Sequence, residues 1–243
     1  MTSKEFKRPL NEVPKHKKLV KKAKPAKPFI KTIWLVGHSL TLVMGSVYTS
    51  YFLLFRSHSS RISFYAYRLS LMGVMLSYCC TIASQFNKKS LPSYRSLLGT
   101  LNFQYLLLSV VWFFNRGSLF KIFPYLVVST MQLASKFNVK PVLKLSSKLK
   151  VITAYDEVFI FVVLLVDVIF LRSTSGYALV IYAAMYWLRV IQSEDTRHLL
   201  FTVVGKLDSF MSNQKNPKVA ESWSVVKNFL TAKNDRFQAE FLA

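Results

Sequence analysis

Cysteine and glycine are both scarce in this chain of 243 residues. The two cysteines, Cys79 and Cys80, are adjacent inside an apolar stretch. Adjacent cysteines provide neither a disulfide framework nor a CxxC-type metal site, so we interpret them as buried thiols, with palmitoylation as the alternative near an interface. The seven glycines form no P-loop and no GxGxxG pattern, which argues against the common nucleotide-binding loops.

Acidic residues are also few. The chain has 11 Asp and Glu against 33 Lys and Arg, a formal net charge of +22. In a soluble protein such an excess indicates nucleic-acid binding. It is equally typical of the cytoplasmic loops of membrane proteins, which lie beside an anionic leaflet. Because the lysines lie between long apolar runs, we favour the membrane explanation and predict no nucleic-acid partner.

What the chain does have is a series of apolar runs without charged side chains. Thr32–Phe55 contains 24 residues, and a helix of that length reaches about 36 Å, enough for a hydrocarbon core of about 30 Å. Further runs are Leu69–Asn87, Ser96–Asn115, Ile122–Ser135, Val158–Leu171 (broken only by Asp167) and Ser173–Leu188. They predict an all-α integral membrane protein. The competing interpretation is a soluble all-helical protein with unusually apolar helices.

The runs form three pairs, each joined by a short turn, at residues 56–61, 116–118 and 172–176. The connections between pairs are richer in lysine. By the positive-inside rule, both termini and the lysine-rich linkers are cytosolic and the three turns are lumenal. We therefore predict three helical hairpins.

Two of the runs, Ile122–Ser135 and Ser173–Leu188, are short for a crossing. They reach further if Arg116, Lys121 or Arg189 snorkels towards the interface, and otherwise lie as shallow hairpins in one leaflet. The predicted number of membrane segments is therefore four to six, and the sequence does not fix how many cross completely.

Three regions follow from this division: a tail over 1–31, a membrane domain of hairpins over 32–190, and a cytosolic amphipathic region over 191–243. The tail holds eleven Lys and Arg and several prolines, so we expect it to be disordered. Its basic clusters contain Lys15, Lys17, Lys18, Lys21, Lys22 and Lys24. They are an import signal, a patch for anionic lipid headgroups or a topology determinant, and the sequence leaves these three open.

Beyond Glu194, apolar residues recur at spacings of three and four, which predicts two amphipathic helices separated near Pro217. We expect their apolar faces to lie in the membrane interface. The predicted interface residues are Leu199, Val203, Leu207 and Phe210 in the first helix, and Val219, Trp223, Val226, Leu230, Phe237 and Phe241 in the second. The alternative is that these faces pack on the protein's own cytosolic surface or on a partner.

Carboxylates inside the apolar runs are the candidates for chemistry, since a charge at the centre of a membrane helix costs about 2.5–3.5 kcal/mol. Asp167 lies five residues before Arg172, so we expect it to pair with that arginine or to reach water. Asp156 and Glu157 are adjacent and point about 100° apart on a helix, which does not make a metal site. We predict no enzyme, no metal and no cofactor. The alternative is a small membrane transporter or lipid-handling enzyme centred on Asp167 or Asp156.

Several segments carry a family resemblance. They are Tyr105–Ser109, Ile122–Leu126, the acidic-aromatic stretch Ala154–Phe159, and Tyr182–Arg189, which is aromatic and ends in arginine. Together with the order of tail, hairpins and amphipathic C-terminal region, they resemble the transmembrane protein 33 family, which includes fungal pore-membrane and perinuclear endoplasmic-reticulum proteins.

The resemblance implies residence in the endoplasmic reticulum and nuclear envelope. It also implies association with reticulon-type shaping proteins, nucleoporins or an import receptor. The function expected from it is non-enzymatic: organisation of membrane shape and of nuclear-pore distribution or assembly, through the hairpins and a C-terminal amphipathic helix.

Overall fold

The computed structural model describes residues 28–57, 59–85, 97–171, 175–192 and 194–211, together with residues 221, 223–225, 227–229 and 231–232. Within these residues there are eight continuous helices and no β-strand, which confirms the all-helical fold. The helices are α1 (Pro28–Leu53), α2 (Arg61–Gln85), α3 (Leu101–Phe114), α4 (Leu119–Phe137), α5 (Lys140–Lys144), α6 (Ser146–Ile169), α7 (Ser175–Gln192) and α8 (Glu194–Met211).

Helices α1 and α2 are long and apolar enough to cross a membrane by length and composition, and they are the two in the described ranges that meet both criteria. Their 26 and 25 residues reach about 39 and 37 Å. Helix α3 is apolar but has only 14 residues. The number of segments beyond α1 and α2 that enter the bilayer stays a prediction.

Small residues hold α1 against α2. Gly37, Thr41 and Gly45 recur at every fourth position of α1, so they share one face of that helix. Gly37 lies against Gly73 and Ser77 of α2. A Cβ atom added to Gly73 would lie 2.6 Å from the Gly37 carbonyl oxygen, closer than real contacts allow. The two backbones therefore touch, as in membrane helix pairs built from small residues.

Aromatic side chains form the core between α2, α3, α4, α6 and α7. Tyr125 of α4 donates a hydrogen bond of 3.1 Å to the Tyr105 carbonyl oxygen of α3. The ring of Tyr78 in α2 stacks on that of Tyr105, with 5.7 Å between centroids. Between α6 and α7, the Phe161 and Tyr186 rings meet edge to face at 5.1 Å. These contacts join α2, α3, α4, α6 and α7 into one bundle beside α1.

The first two connections between paired helices lie at one end of this bundle, called here the turn end. The first turn (54–60) and the second (115–118) line a common cavity. Lys121, just after the second turn, contacts Asp167, just before α6 ends at Ile169. At the opposite end, called here the lysine end, five exposed lysines follow the chain from α4 into α6: Lys136, Lys140, Lys144, Lys148 and Lys150. The predicted separation of turns from lysine-rich linkers thus holds for the second linker, while residues 86–96 and 172–174 lie outside the described residues.

Candidate functional site

A single stripe of α6 faces the centre of the bundle and carries two acidic residues. Glu157, Ile160, Leu164 and Asp167 are all buried, at spacings of three, four and three residues. Such spacing keeps them on one helix face. Both carboxylates therefore point into the protein interior, where a buried charge needs a partner.

Asp167 forms the first buried ion pair. Its Oδ2 atom lies 3.1 Å from Nζ of Lys121, whose side chain is fully buried. The same Nζ donates to Oδ1 of Asn115 at 3.1 Å and to the carbonyl oxygen of Arg116 at 3.3 Å. Because the ammonium group is both paired and hydrogen-bonded, this cluster offsets much of the cost of burying two charges.

The sequence left open that Lys121 snorkels towards the interface, and the structure excludes this, since its side chain is fully buried. Lys121 points into the bundle because Asp167 and Asn115 supply acceptors there, and the walls of α4 and α6 exclude water around it. Arg172, the partner predicted for Asp167, lies outside the described residues. The pairing with Lys121 gives Asp167 a structural role, namely joining α4 to α6.

Glu157 forms the second ion pair, which the sequence analysis missed. Its Oε1 atom lies 2.6 Å from Nη1 of Arg189 and accepts a hydrogen bond of 2.5 Å from the Tyr105 hydroxyl. Tyr182 donates to the Glu157 carbonyl oxygen, and Arg189 Nε donates to Gln104 Oε1 at 3.3 Å. The network joins α3, α6 and α7. Arg189 is thus buried and paired, which excludes the possibility that it snorkels towards the interface.

A sequence signal for this second pair existed in the charges themselves. Glu157 and Arg189 are charges of opposite sign in apolar helices, and each such charge needs a partner inside the protein. Their separation of 32 residues along the chain hides the partnership from any local pattern.

Asp156, the other carboxylate considered for chemistry, is half-buried, and its Oδ2 atom has no hydrogen-bond partner. Glu157 beside it is committed to Arg189. In the part of the chain that the structure describes, no group of three His, Cys, Asp or Glu residues is arranged to hold a metal ion. Glu157 and Asp167 are thus each paired with a cation of another helix, whereas Asp156 is not paired within the described residues.

The C-terminal region contacts the bundle through α8, which packs on α7 and α6. Of the predicted interface residues, Leu199 and Val203 are half-buried and Leu207 is exposed. The indole nitrogen of Trp223 donates to Oδ1 of Asp208 at 2.9 Å, and Lys227 Nζ lies 2.5 Å from Oδ2 of the same residue. These two hydrogen bonds lower the pKa of Asp208 below its usual value.

Trp223 therefore contacts the protein itself, whereas other apolar side chains of the same segment face outward. Val225 and Phe229 are exposed, and the Phe229 ring also lies 5.9 Å from that of Trp187 in α7. The interfacial placement of the C-terminal region stays a prediction. The side chain of Phe210, the remaining predicted residues of the second helix (Val219, Val226, Leu230, Phe237 and Phe241) and the basic residues of the tail (Lys15, Lys17, Lys18, Lys21, Lys22 and Lys24) lie outside the described residues.

Comparison with known proteins gives one informative relationship. No family model matches the chain, and no solved structure matches it. The uncharacterized membrane protein YGR026W of Saccharomyces cerevisiae (strain ATCC 204508 / S288c) is 30% identical to this chain, and the match covers 84% of this chain and 86% of the yeast protein. The match spans most of both chains and agrees with the two long apolar helices α1 and α2. The chain therefore belongs to the same family of membrane proteins as YGR026W.

Proposed function

We propose that the protein is a non-enzymatic membrane protein of the endoplasmic reticulum and nuclear envelope that organises membrane shape and nuclear-pore distribution or assembly. The location and the pore-related role rest on the resemblance to the transmembrane protein 33 family. The shaping role has support in the geometry of the bundle and of the C-terminal region.

The observation that carries the shaping role is the unequal length of helices packed side by side. Helix α3, with 14 residues, is about 21 Å long and packs on α2, which is about 37 Å long. A helix shorter than the hydrocarbon core of about 30 Å thins the bilayer around it or lies in one leaflet. A bundle that combines both lengths displaces the two leaflets unequally, and unequal displacement favours curvature.

Exposed apolar side chains at both ends of the bundle give further support. Phe55 and Leu171 stand at the turn end with 97% and 88% of their surface exposed. Leu207, Val225 and Phe229 are exposed near the lysine end, beyond α7. Side chains of this kind at an interface insert between headgroups, and the C-terminal segment adds Lys227 for anionic lipid.

The proposed orientation places both termini and the lysine end in the cytosol, with the turns in the lumen. The proposed partners are the bilayer, anionic headgroups and, by family resemblance, reticulon-type shaping proteins, nucleoporins or an import receptor. The basic tail is then available to a cytosolic receptor or to the leaflet surface.

The test of the shaping role uses the full chain reconstituted into liposomes, with vesicle diameter measured by electron microscopy. The double variant Val225→Asp with Phe229→Asp removes exposed apolar side chains. We expect the unmodified protein to reduce the vesicle diameter and this variant not to do so. The matched control is Ser224→Asp with Asn228→Asp, which places the same charges at neighbouring exposed positions. If both double variants reduced the vesicle diameter equally, the exposed side chains of Val225 and Phe229 would have no role in shaping.

The location is tested by fluorescent tagging at the native level, with nuclear-pore positions recorded in cells that lack the protein. We expect signal at the nuclear rim and reticulum and clustered or fewer pores without the protein. A mitochondrial or plasma-membrane signal would overturn the proposed location. Loss of function in Asp167→Asn at normal abundance and location would instead favour the transporter or lipid-handling enzyme.

A further inference from the structure

The turn end of the bundle contains a basic cavity of about 170 Å³. Its walls include Tyr48 of α1, Arg68 of α2, and Arg116 and Gly117 of the second turn. A water molecule occupies about 30 Å³ of liquid, so this space is larger than a single ordered water requires. The cavity has room for a group such as a phosphate.

Two guanidinium groups give this cavity its charge. Arg68 and Arg116 form no ion pair with a carboxylate of the described residues. The nearby Asp167 is neutralised by Lys121. The Arg68 guanidinium is held over the Phe64 ring, 3.6 Å from its centroid, which limits the directions it can take. Arginine binds phosphate oxygens through paired N–H donors, so phosphate is the ligand that this charge fits best.

A buried hydroxyl in the same wall lacks a partner. Tyr48 is 2% exposed, and its hydroxyl oxygen has no hydrogen-bond partner. Leaving a buried donor unsatisfied costs about 1–3 kcal/mol, so such groups normally meet an acceptor. A Cβ on Gly117 would lie 3.1 Å from this oxygen, which shows how the glycine keeps the space beside the hydroxyl open.

An apolar groove of about 250 Å³ adjoins the cavity and shares Arg116 and Gly117 with it. Asp167, already paired with Lys121, also borders this groove. The rest of its lining is mainly aromatic and aliphatic side chains of α1, α4 and α6: Phe52, Phe120, Phe159, Val162, Val163 and Val166. Such an apolar lining favours a hydrocarbon chain as the occupant of the groove, because the chain then leaves water.

We propose that the cavity and the groove together bind one glycerophospholipid. Its phosphate lies against Arg68 and Arg116 and accepts a hydrogen bond from Tyr48, and one acyl chain follows the groove. The adjacency of the two spaces carries this assignment, since a free phosphate leaves the groove empty and an uncharged lipid leaves both arginines uncompensated. The proposal does not depend on the shaping role.

The test uses the purified full chain in detergent, with native mass spectrometry to measure apparent affinity for three probes. Dioleoylphosphatidic acid carries phosphate and chains, dioleoylglycerol carries chains alone, and sn-glycerol 3-phosphate carries phosphate alone. We expect the first to bind at least tenfold more tightly than either of the others. Equal binding by sn-glycerol 3-phosphate would overturn the lipid assignment, and equal binding by dioleoylglycerol would overturn the phosphate site.

Variants then locate the site. Arg68→Gln and Arg116→Gln should each weaken binding of dioleoylphosphatidic acid about tenfold, the value of one charge-assisted contact. Arg61→Gln is the matched control, because Arg61 is exposed at the start of α2 and does not line the cavity. Tyr48→Phe keeps the ring and its packing, and we expect it to weaken binding of dioleoylphosphatidic acid several-fold. It therefore tests the site independently of the arginine variants. Unchanged affinity in Tyr48→Phe and in the folded arginine variants would overturn the proposal.

Discussion

The contact between α1 and α2 and the interior of the bundle are both packed between helices, but they use different side chains. In the pair, Ser70 Oγ donates to the Thr41 carbonyl oxygen at 2.9 Å, and Gly37 meets Gly73 backbone to backbone. In the bundle, tyrosine and phenylalanine rings fill the interior and two ion pairs cross it.

The difference follows from what each region has to bury. Lipid tails are as apolar as leucine, so long apolar helices gain little from the hydrophobic effect and associate through close backbone packing. Helices α4, α6 and α7 carry Lys121, Glu157, Asp167 and Arg189, and these charges pair with one another inside the bundle. Small residues thus hold α1 on α2, and ion pairs join α4 to α6 and α6 to α7.

The largest expected effect comes from breaking the second ion pair. Replacing Arg189 by methionine leaves Glu157 buried without its cation, and we expect a loss of about 3–5 kcal/mol in the free energy of unfolding. Unfolding in mixed detergent and SDS micelles measures it. The double variant with Glu157→Gln should lose less than the sum of the two single changes, since neither charge then remains alone. Lys150→Met, at an exposed position of α6, is the control.

Overpacking the small-residue contact should have the next largest effect. Gly73→Leu forces α1 and α2 apart, and insertion into a packed interface costs about 1–3 kcal/mol. The matched control is Gly205→Leu in α8, where an added Cβ meets nothing within 4 Å. If the two substitutions changed the free energy of unfolding equally, close backbone packing would not be what holds the pair.

Removing a hydrogen bond from the same pair should cost less. Ser70→Ala deletes the donor to the Thr41 carbonyl, and such bonds between membrane helices average about 0.6 kcal/mol. Ser84→Ala in α2 serves as control, because that exposed hydroxyl bonds only the Thr81 carbonyl of its own helix. If Ser70→Ala lowered the free energy of unfolding as much as Gly73→Leu, hydrogen bonding rather than close packing would hold α1 against α2.

The smallest effect is expected outside the bundle, at Asp208. Its carboxylate accepts hydrogen bonds from Trp223 and Lys227, which lower its pKa, so the stability from these contacts is present above the ordinary carboxylate pKa of about 4. That stability is lost as the pH falls through the lowered value. Fluorine NMR of 5-fluorotryptophan-labelled protein should show the Trp223 resonance shifting at acid pH, with Trp223→Phe identifying the signal. A resonance in Asp208→Asn that shifts in the same way would exclude the contact as the cause.

The apolar runs predicted where helices lie but not where they begin. The run at Leu69 belongs to a helix that starts at Arg61, and the run at Val158 to one that starts at Ser146. A run ends at its first charge, whereas a helix continues through a charge that finds water or a partner. This is why Ile122–Ser135, too short for a crossing by itself, is part of the 19-residue helix α4.

The partners within each ion pair could not be predicted from a single sequence, because they lie 46 and 32 residues apart along the chain. Snorkelling was one of two possibilities considered for Lys121 and Arg189 at the ends of short runs, and their burial among acceptors from other helices excludes it. The small-residue stripe was different, since Gly37, Thr41 and Gly45 are visible at four-residue spacing in the sequence. That pattern was available and predicts the face on which α1 packs.

The central claim is that the turn end and the lysine end of the bundle lie on opposite sides of a membrane. Cysteine accessibility tests it most directly, after Cys79 and Cys80 are replaced by alanine. Single cysteines are introduced by Arg56→Cys and Ser118→Cys at the turn end and by Lys140→Cys and Lys144→Cys at the lysine end. In intact microsomes, an impermeant maleimide should label the two lysine-end positions and reach the turn-end positions only after detergent is added. Labelling of both ends before detergent, or of the turn end alone, would contradict the account.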